Sequence, residues 1–385
     1  MPANIIFRCD ASPKVGAGHV MRCLTAAEAF SWAGWTCGFS VNAEAIDTLP
    51  ALRTSGYRVE IDENERILLN AAHTVVIDNY ALDAHYERRL RTDDRQVIVF
   101  DDLQTETHAC DILLDPTPGR VEGDYSSAID TDTTYLLGAK YALISSRWRA
   151  CARTATERLA RPIPASRILV SMGATDPSNA TGQVLAALKI ANLDVHIDIV
   201  LGSNAPHLKS IQSSICSAIA LHIDPPDLPT IAASADFAIG AAGTSSFERA
   251  ILGLPAILLQ TADNQKFIAD AFSNTGAALT LPSKLLNDST LFAARIAAFA
   301  MNRTVRAAMS RAAATMTDGR GASRLLLAVA TQAHSRKGGA VRLRLAEPID
   351  RDWLLDLQHQ PKTRKFSNNS APPPRSSTPN GLPML

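Results

Sequence analysis

The sequence predicts an α/β protein made of two doubly wound domains, each a parallel sheet covered by helices on both faces. Short runs rich in Ile and Val alternate along the chain with loops and Ala/Leu-rich helical patterns. These runs are continuously apolar, which is typical of parallel strands buried on both faces. The two halves also look alike, because each opens with a strand, a glycine-containing loop and a helix. Two such domains facing each other would hold a ligand between the carboxyl ends of their sheets.

The elements of each half follow from these patterns. In the first half we expect strands at 5–7, 74–77, 97–100 and 112–114, and a helix near 19–32. In the second half we expect strands at 168–171, 196–201, 237–239 and 256–259, with helices near 179–190 and from Ser245.

The domain boundaries are expected where these patterns stop. Residues 1–146 form the first predicted domain and 167–334 the second, joined by a linker at 147–166 that carries charge, two prolines and no strand pattern. A second linker at 335–340 leads to a fragment at 341–369, with a strand at 341–345 and a short helix at 352–358. The last segment, 370–385, has too many prolines and too few apolar residues to fold, so we expect it to be disordered.

Composition excludes several classes of protein. The 385 residues include 38 Lys and Arg against 38 Asp and Glu, and 46% are hydrophobic. A zero net charge argues against nucleic-acid partners and a polybasic membrane surface, and no stretch is apolar enough for a membrane span. The six cysteines are widely spaced, which argues against a zinc cluster or a disulfide framework. We therefore expect a soluble cytoplasmic protein.

The first candidate site is the loop before the first predicted helix, Gly16-Ala17-Gly18-His19. Two glycines let the backbone approach a ligand, and a helix start attracts negative charge. The third glycine of the dinucleotide fingerprint is missing, because Arg22 and Cys23 stand where small residues belong. His19 is a candidate general base, since the positive end of the helix should keep its imidazole neutral. A capping or packing histidine is an equally good interpretation of the local sequence.

The second candidate site lies in the matching loop of the second half, with Ser171, Gly173 and Asp176. A loop of small residues before a helix is a plausible cradle for an anion. The alternative is an ordinary turn in which Asp176 or Ser178 caps the helix.

The third candidate site is Gly243-Thr244-Ser245 with Glu248, again between a strand and a helix. Backbone N–H groups at this position could bind a diphosphate while Glu248 accepts hydrogen bonds from ribose hydroxyls. The alternative is a capping box formed by Ser245 and Glu248. Asn264 and Gln265 follow the next strand, at the rim where sugar hydroxyls would be bound.

Two further polar groups follow strands of the first half. Asp78 and Tyr80 would place a carboxylate and a phenol at the cleft, unless Tyr80 merely packs in a loop. Asp101 and Asp102 could suggest a metal site, but no matching cluster of ligands accompanies them. We therefore expect a structural turn there and no metal.

Residues 239–265 resemble the nucleotide-sugar site of GT-B glycosyltransferases. A longer ordered set, running from Arg8-Cys9-Asp10 through the three loops to Ala262-Asp263-Asn264-Gln265, resembles the UDP-2,4-diacetamido-2,4,6-trideoxy-β-L-altropyranose hydrolases of pseudaminic acid biosynthesis over residues 3–333. The sequence departs from many members of that family at Ala174, where they have glycine.

The resemblance implies a GT-B-like fold with two Rossmann-like domains, and an inverting attack of water on the anomeric carbon of a UDP-sugar, with no cofactor. It implies that His19 is the base, that Tyr80 and Asn264 line the sugar pocket, and that Glu248 and the 243–245 turn bind UDP. The remaining expected substrate contacts are Gly16, Gly18, Arg22, Ser171, Gly173, Asp176 and Gln265.

Residues 341–368 resemble the opening strand and helix of a GNAT N-acetyltransferase. The match stops after about 30 residues, whereas such a domain needs about 150. We therefore expect a truncated, inactive second module. Two alternatives to the hydrolase remain open: a GT-B glycosyltransferase using a UDP-amino sugar, and a non-catalytic protein that binds a nucleotide sugar.

Overall fold

The computed structural model describes residues 4–12, 15–61, 72–92, 94–104, 107–125, 133–330, 333–334, 340–341 and 350–360. It confirms the predicted α/β class, because the described residues include parallel sheets of seven and six strands with helices between the strands. The chain divides into a large unit, residues 1–326, and a small unit, residues 327–385. Both parallel sheets belong to the large unit, and we call the halves built on them the first and second lobes.

The first lobe is built on the seven-stranded sheet, whose spatial order is β3-β2-β1-β4-β5-β6-β7. Its strands are β1 (Asn4–Cys9), β2 (Thr36–Val41), β3 (Arg58–Ile61), β4 (Thr74–Asp78), β5 (Gln96–Phe100), β6 (Ile112–Asp115) and β7 (Thr134–Leu137). Its helices are α1 (Gly18–Trp32), α2 (Ala43–Thr48) and α3 (Ala84–Leu90). The strand order reverses between the neighbours β1 and β4, so the loops after these two strands open a crevice at the carboxyl edge of the sheet.

The second lobe repeats this plan with the order β10-β9-β8-β11-β12-β13. Its strands are β8 (Arg167–Ser171), β9 (His196–Leu201), β10 (Ile219–Ile223), β11 (Phe237–Ala241), β12 (Ala256–Gln260) and β13 (Leu279–Pro282). Its helices are α4 (Ser146–Leu159), α5 (Ala180–Ala191), α6 (Leu208–Gln212), α7 (Leu228–Ser234), α8 (Ser245–Ile251), α9 (Lys266–Asn274), α10 (Ser289–Met301), α11 (Arg303–Ala314) and α12 (Gly321–Val329). Here the order reverses between β8 and β11.

The central strands are buried on both faces, as their continuous apolar sequences predict. All five residues of β4 and of β11 are buried. The apolar side chains on both faces of such strands are removed from water, and this burial is the main favourable term in folding. Asp78, the last residue of β4, is the polar exception, with no exposed surface. A buried carboxylate needs charged or hydrogen-bonding partners, and it has both.

The segment expected to be a linker, 147–166, is mostly helix α4. Trp148, Ala155 and Leu159 of α4 are buried in the same core cluster as Phe247 and Ile251 of α8. One apolar face of the segment therefore packs into the second lobe, and a linker role for 147–166 stays a prediction. Its many arginines and threonines lie on the other faces, and they obscured the helical period.

Past α12, the described residues of the small unit form β14 (Ala333–His334), β15 (Ala340–Val341) and α13 (Arg351–His359). Helix α13 contains the helix expected at 352–358, and β14 pairs antiparallel with β15. The remainder of the strand expected at 341–345, and the tail at 370–385, lie outside the described residues. In the described part of the chain, no helix combines the length and apolar character needed to cross a membrane.

Candidate active site

His19 is buried at the start of α1, directly beyond the end of β1, and is 7% exposed. Its Nδ1 lies 2.9 Å from Oδ1 of Asp78 and 3.0 Å from the backbone oxygen of the same residue. Both neighbours are acceptors, so the ring is assigned its proton on Nδ1. The arrangement leaves Nε2 as the atom that can take a proton from another molecule.

The pKa of His19 shifts in the direction opposite to the sequence expectation. Burial lowers the pKa of His19, but the charge of Asp78 and its hydrogen bond raise it, and the pKa ends above its usual value. The helix-dipole argument had predicted a neutral imidazole because it took no account of a carboxylate from another strand. A histidine with a raised pKa is a stronger base once it has lost its proton.

Arg22, one turn further along α1, joins two carboxylates beneath this histidine. Its Nε donates to Oδ2 of Asp78 at 2.6 Å, and its Nη1 donates to Oδ2 of Asp102 at 2.8 Å. Burial alone would raise the pKa of Asp78, but the charges of Arg22 and His19 hold that pKa well below its usual range. The sequence analysis had assigned Arg22 to the substrate; the structure shows its side chain bound to Asp78 and Asp102. Arg22 is therefore placed to keep Asp78 ionised and fixed in position.

Tyr80 links this group to the second lobe. Its ring meets the His19 ring edge-on, with the centroids 4.5 Å apart, and its Oη donates to Oδ1 of Asp102 at 2.6 Å. Nδ2 of Asn264 donates to the same Oη at 3.4 Å. Burial and the nearby Asp102 raise the pKa of Tyr80, so its phenol keeps its proton at neutral pH. The structure thus brings Tyr80 and Asn264 together from the two lobes, beside His19.

The Gly16–His19 loop of the first lobe faces the Gly243–Ser245 turn of the second lobe. A Cβ atom built on Gly18 would lie 3.6 Å from Oγ1 of Thr244, and one built on Gly243 would lie 4.0 Å from Nε2 of Gln265. Gly16 has φ +84°, a conformation that costs glycine little and other residues more. Residues from both lobes, far apart in sequence, therefore line one narrow space.

The capping box expected as an alternative at Ser245 and Glu248 is not formed. Thr244 is the N-cap of α8, and no side chain caps this helix. Glu248 is instead hydrogen-bonded to Trp148 of α4, and its burial raises its pKa to about 7, against the lowering effects of Arg249 and Trp148. A ribose contact for Glu248 stays a prediction.

Arg249 organises this loop, and the sequence analysis did not single it out. It is 3% exposed; its Nη2 donates to the backbone oxygen of Ala241 at 2.7 Å and its Nη1 to Oγ of Ser245 at 3.1 Å. A Cβ on Gly240 would lie 2.7 Å from the backbone oxygen of Ser171 and 2.8 Å from Nη1 of Arg249, so glycine is required there. Burial lowers the pKa of Arg249 to about 10, which still leaves it charged near neutral pH. An arginine among the apolar residues of a short helix was the available signal.

The second candidate loop adopts the capping alternative. The carboxylate of Asp176 accepts from the backbone N–H groups of Ala180 at 2.9 Å and Thr181 at 2.8 Å, at the start of α5. These oxygens accept from the start of the helix, and a substrate contact by Asp176 stays a prediction. Gly173 has φ +105°. Ligand contacts by Ser171 and Gly173 stay predictions.

Asp101 and Asp102 are both held by hydrogen bonds. Asp101 accepts from the backbone N–H of Leu103 at 2.9 Å and from Oη of Tyr125 at 2.8 Å. Asp102 accepts hydrogen bonds from Arg22 and Tyr80. This is the structural turn that the sequence predicted. Among the residues that the structure describes, no group of three or more His, Cys, Asp or Glu side chains could hold a metal ion.

A second contact between the lobes was not anticipated. The guanidinium carbon of Arg120, after β6, lies 4.8 Å from the ring centre of Phe267 in α9. Nε of Arg120 donates to Oδ2 of Asp115 at 2.6 Å, and Nη1 donates to Oε1 of Gln104 at 2.6 Å. Neither Arg120 nor Phe267 belongs to a motif, so only the folded chain shows that they meet.

Comparison with known proteins adds distant relatives, although no protein-family model matches the chain. It is 26% identical over 230 residues to the UDP-2,4-diacetamido-2,4,6-trideoxy-β-L-altropyranose hydrolase of Campylobacter jejuni, a match covering 57% of this chain and 78% of that protein. It is 24% identical over 294 residues to the spore coat polysaccharide biosynthesis protein SpsG of Bacillus subtilis, covering 69% and 85%. It is also 24% identical over 289 residues to protein MJ1062 of Methanocaldococcus jannaschii, covering 70% of this chain but 58% of that relative's length.

Solved structures show the fold. MurG of Acinetobacter baumannii matches with a TM-score of 0.57 at 13% identity, over 84% of this chain and 98% of MurG. The calicheamicin glycosyltransferase CalG4 matches with a TM-score of 0.53 at 13% identity, over 85% of this chain and 98% of CalG4. The chain therefore has the GT-B fold, with two Rossmann-like lobes, as the resemblance in its sequence implied. Within that fold it is a distant relative of proteins of sugar biosynthesis.

Proposed function

We propose that this protein hydrolyses UDP-2,4-diacetamido-2,4,6-trideoxy-β-L-altropyranose, a step of pseudaminic acid biosynthesis, and releases UDP. The observation that carries the proposal is the buried pair of His19 and Asp78, in which Nδ1 of His19 lies 2.9 Å from Oδ1 of Asp78. The loop that carries His19 faces Thr244. A fixed base opposite a loop suited to a diphosphate is what water attack on a UDP-sugar requires. The Campylobacter relative, which bears this activity in its name, adds support.

UDP binding is assigned to the second lobe. The Gly243–Ser245 turn offers backbone N–H groups and hydroxyls to the diphosphate, and Arg249 holds that turn in shape. Glu248 would accept hydrogen bonds from ribose hydroxyls, which requires its ionised form. The sugar would lie beside Tyr80 and Asn264, at the boundary of the lobes.

The reaction follows from the protonation states. Nε2 of His19 takes a proton from a water molecule, whose oxygen forms a bond to the anomeric carbon while the bond from that carbon to the UDP oxygen breaks. The bonding electron pair leaves with UDP, and attack from the opposite face inverts the anomeric centre. Asp78 stabilises the imidazolium that forms, as the carboxylate of a His–Asp pair does in other enzymes. UDP is a good leaving group, so no strong general acid is required.

A GT-B glycosyltransferase is the second candidate, and the solved structures of MurG and CalG4 favour it. Such an enzyme would use the same base and UDP site but would activate an acceptor hydroxyl instead of water. A non-catalytic nucleotide-sugar binder is the third candidate; the intact pair of His19 and Asp78 argues against it.

The deciding experiment supplies the purified protein with the altropyranose substrate and no acceptor. Release of UDP together with free sugar of inverted anomeric configuration, followed by proton NMR, is the expected result. Saturable UDP binding without turnover would refute the hydrolase and favour a transferase, or a binding protein.

A further inference from the structure

Arg120 is a buried guanidinium at the boundary between the lobes. Its side chain is 7% exposed, and its guanidinium carbon lies 4.8 Å from the ring centre of Phe267 in the opposite lobe. Arginine over an aromatic face is a favourable arrangement, and here it joins the two halves of the cleft. Phe267 itself is 42% exposed, so part of its ring is open to a ligand.

One nitrogen of Arg120 has no partner. Nε donates to Asp115 and Nη1 to Gln104, but Nη2 is buried without a hydrogen-bond partner among the residues that the structure describes. Buried donors in native proteins are almost always paired, and leaving one unpaired is unfavourable. An acceptor supplied by a ligand would satisfy it.

The position of Arg120 along the sheet suggests which ligand. The neighbouring strands β4, β5 and β6 end in Asp78, Phe100 and Asp115, and the loops that follow carry Tyr80, Asp102 and Arg120. Adjacent strands lie about 4.8 Å apart, so β6, which precedes Arg120, lies about 10 Å along this edge from β4, whose Asp78 holds His19. That distance is comparable to a hexose ring with one acetamido substituent.

Two residues of the second lobe contact the two ends of this edge, Tyr80 and Arg120. Asn264 contacts Tyr80 beside His19, and Phe267, three residues further, contacts Arg120. A sugar whose anomeric carbon lies at His19 would therefore extend between these two contacts towards Arg120.

The charge around Arg120 favours a neutral acceptor over an anion. Oδ2 of Asp115 already balances the guanidinium at 2.6 Å, and Oη of Tyr125 lies 2.9 Å from the same oxygen. What remains is Nη2, with its two N–H donors, beside an aromatic ring. An amide carbonyl oxygen next to a methyl group matches both.

We propose that Nη2 of Arg120 donates a hydrogen bond to the carbonyl oxygen of an acetamido group on the substrate sugar, with Phe267 packing against that group. Arg120 is then a specificity-determining residue for N-acetylated sugars. This inference rests on the proposed UDP-sugar site, and it assigns to that site a contact that recognises the acyl group.

The test compares the diacetamido UDP-sugar with two analogues that lack the acetyl group on N-2 or on N-4. Dissociation constants are measured by calorimetry, and KM and kcat are measured by UDP release, for the wild type and for Arg120→Met and Arg120→Lys. The wild type should bind the diacetamido sugar about tenfold more tightly than one of the two analogues. Arg120→Met should lose that tenfold preference while its affinity for UDP alone and its kcat stay close to those of the wild type.

Arg91→Met is the matched control. It removes an ion pair with Asp111, 2.8 Å long, at the opposite end of β6, where it cannot reach the cleft. It should reduce the melting temperature less than Arg120→Met does, because both partners of its ion pair are partly exposed, and it should leave the preference for the acetylated sugar unchanged. Arg120→Lys, which keeps the charge but shortens the reach, provides a second variant if Arg120→Met does not fold.

The outcomes separate this inference from the proposed function. If Arg120→Met weakened the binding of all three UDP-sugars equally, or weakened the binding of UDP alone, the acyl contact would be overturned. Tight, acetyl-dependent binding without hydrolysis would overturn the hydrolase and support the contact. A wild type that binds the diacetamido sugar no better than UDP would overturn the contact as well.

Discussion

Nδ1 of His19 faces Oδ1 of Asp78 at 2.9 Å, although 59 residues separate the two in sequence. The pair forms because β1 and β4 are neighbours in the sheet, so the start of α1 lies over the end of β4. Asp78 sets the tautomer of His19 and raises its pKa, and Arg22 keeps Asp78 ionised.

Replacing His19 by Asn should remove hydrolysis and spare UDP binding. General base catalysis contributes at least about a hundredfold, so kcat should fall by that factor or more. The dissociation constant of UDP, measured by calorimetry, should change less than twofold because UDP is assigned to the other lobe. Turnover equal to that of the wild type would contradict the role of His19 as base.

Replacing Asp78 by Asn should shift the pH dependence of kcat/KM. The base must lose its proton to act, so activity rises with pH through the pKa of His19, which lies above its usual 6.5 in the wild type. Without the carboxylate the pKa of His19 falls, and the rising limb should move to lower pH. The plateau of kcat should fall about tenfold, since a weaker base remains, still oriented by the backbone oxygen of residue 78.

The same variant should lose stability, because Arg22 would keep a buried charge with one partner fewer. A loss of about 3 kcal/mol is expected, measured by urea unfolding near pH 7. Arg91→Met, away from the site, controls for the loss of an ordinary ion pair. If the rising limb of the pH profile of kcat/KM lay at the same pH in Asp78→Asn as in the wild type, the pairing of Asp78 with His19 would be contradicted.

Glu248 should make the ligand-free protein less stable as the pH rises from about 4.5 to about 7, because its pKa is raised from 4.5 to about 7 in the folded state. In this range the folded state binds more protons than the unfolded state, so stability falls as pH rises. Glu248→Gln should abolish that dependence and gain about 1–3 kcal/mol at pH 8. The same variant should weaken UDP binding at pH 8, where the wild type offers a carboxylate to the ribose. Equal UDP affinity in both proteins would refute the ribose contact.

Replacing Gly18 by alanine and replacing Gly16 by alanine should have different effects on stability and on substrate binding. Gly18 is the first residue of α1, and its Cβ would meet only Thr244 Oγ1 at 3.6 Å, so Gly18→Ala should keep or raise the melting temperature while increasing KM for the UDP-sugar. Gly16 has φ +84°, so Gly16→Ala should cost about 1 kcal/mol through backbone strain. Steady-state kinetics of the two variants report the loss of space for the substrate in the cleft, and thermal unfolding reports the backbone strain. An unchanged KM in Gly18→Ala would show that the diphosphate does not pass between Gly18 and Thr244.

Ending the chain at Ala333 should preserve hydrolysis. The residues named in the proposed site lie between Gly16 and Phe267, within the large unit of residues 1–326. The truncated and full-length proteins should have the same kcat/KM within about twofold. An unfolded or inactive truncation would show that the small unit supports the large one.

The sequence predicted the fold class and most of the strands, because parallel strands are buried on both faces and therefore appear as continuous apolar runs. It did not predict helix α4 in 147–166, where the charged faces of α4 hid the apolar face formed by Trp148, Ala155 and Leu159. Local pattern cannot show which side of an arginine-rich helix packs on a neighbour.

For the site, the loop motifs identified His19, Tyr80, Thr244 and Asn264, and the structure brings these residues to one boundary. The motifs also suggested substrate contacts for two residues whose side chains are hydrogen-bonded within the protein. Asp176 caps α5, and Arg22 binds carboxylates. A motif reports which side chains follow a strand, but several partners compete for each polar group, and only the fold decides among them.

The sequence by itself determined two parallel α/β lobes with a polar loop after the central strands of each, because apolar periodicity and glycine placement are local properties. The tertiary structure alone decided that His19 is paired with Asp78, that Arg249 shapes the Thr244 loop and that Arg120 meets Phe267. These contacts join residues from different strands and lobes, and the pKa of a buried group depends on charges brought near it through space.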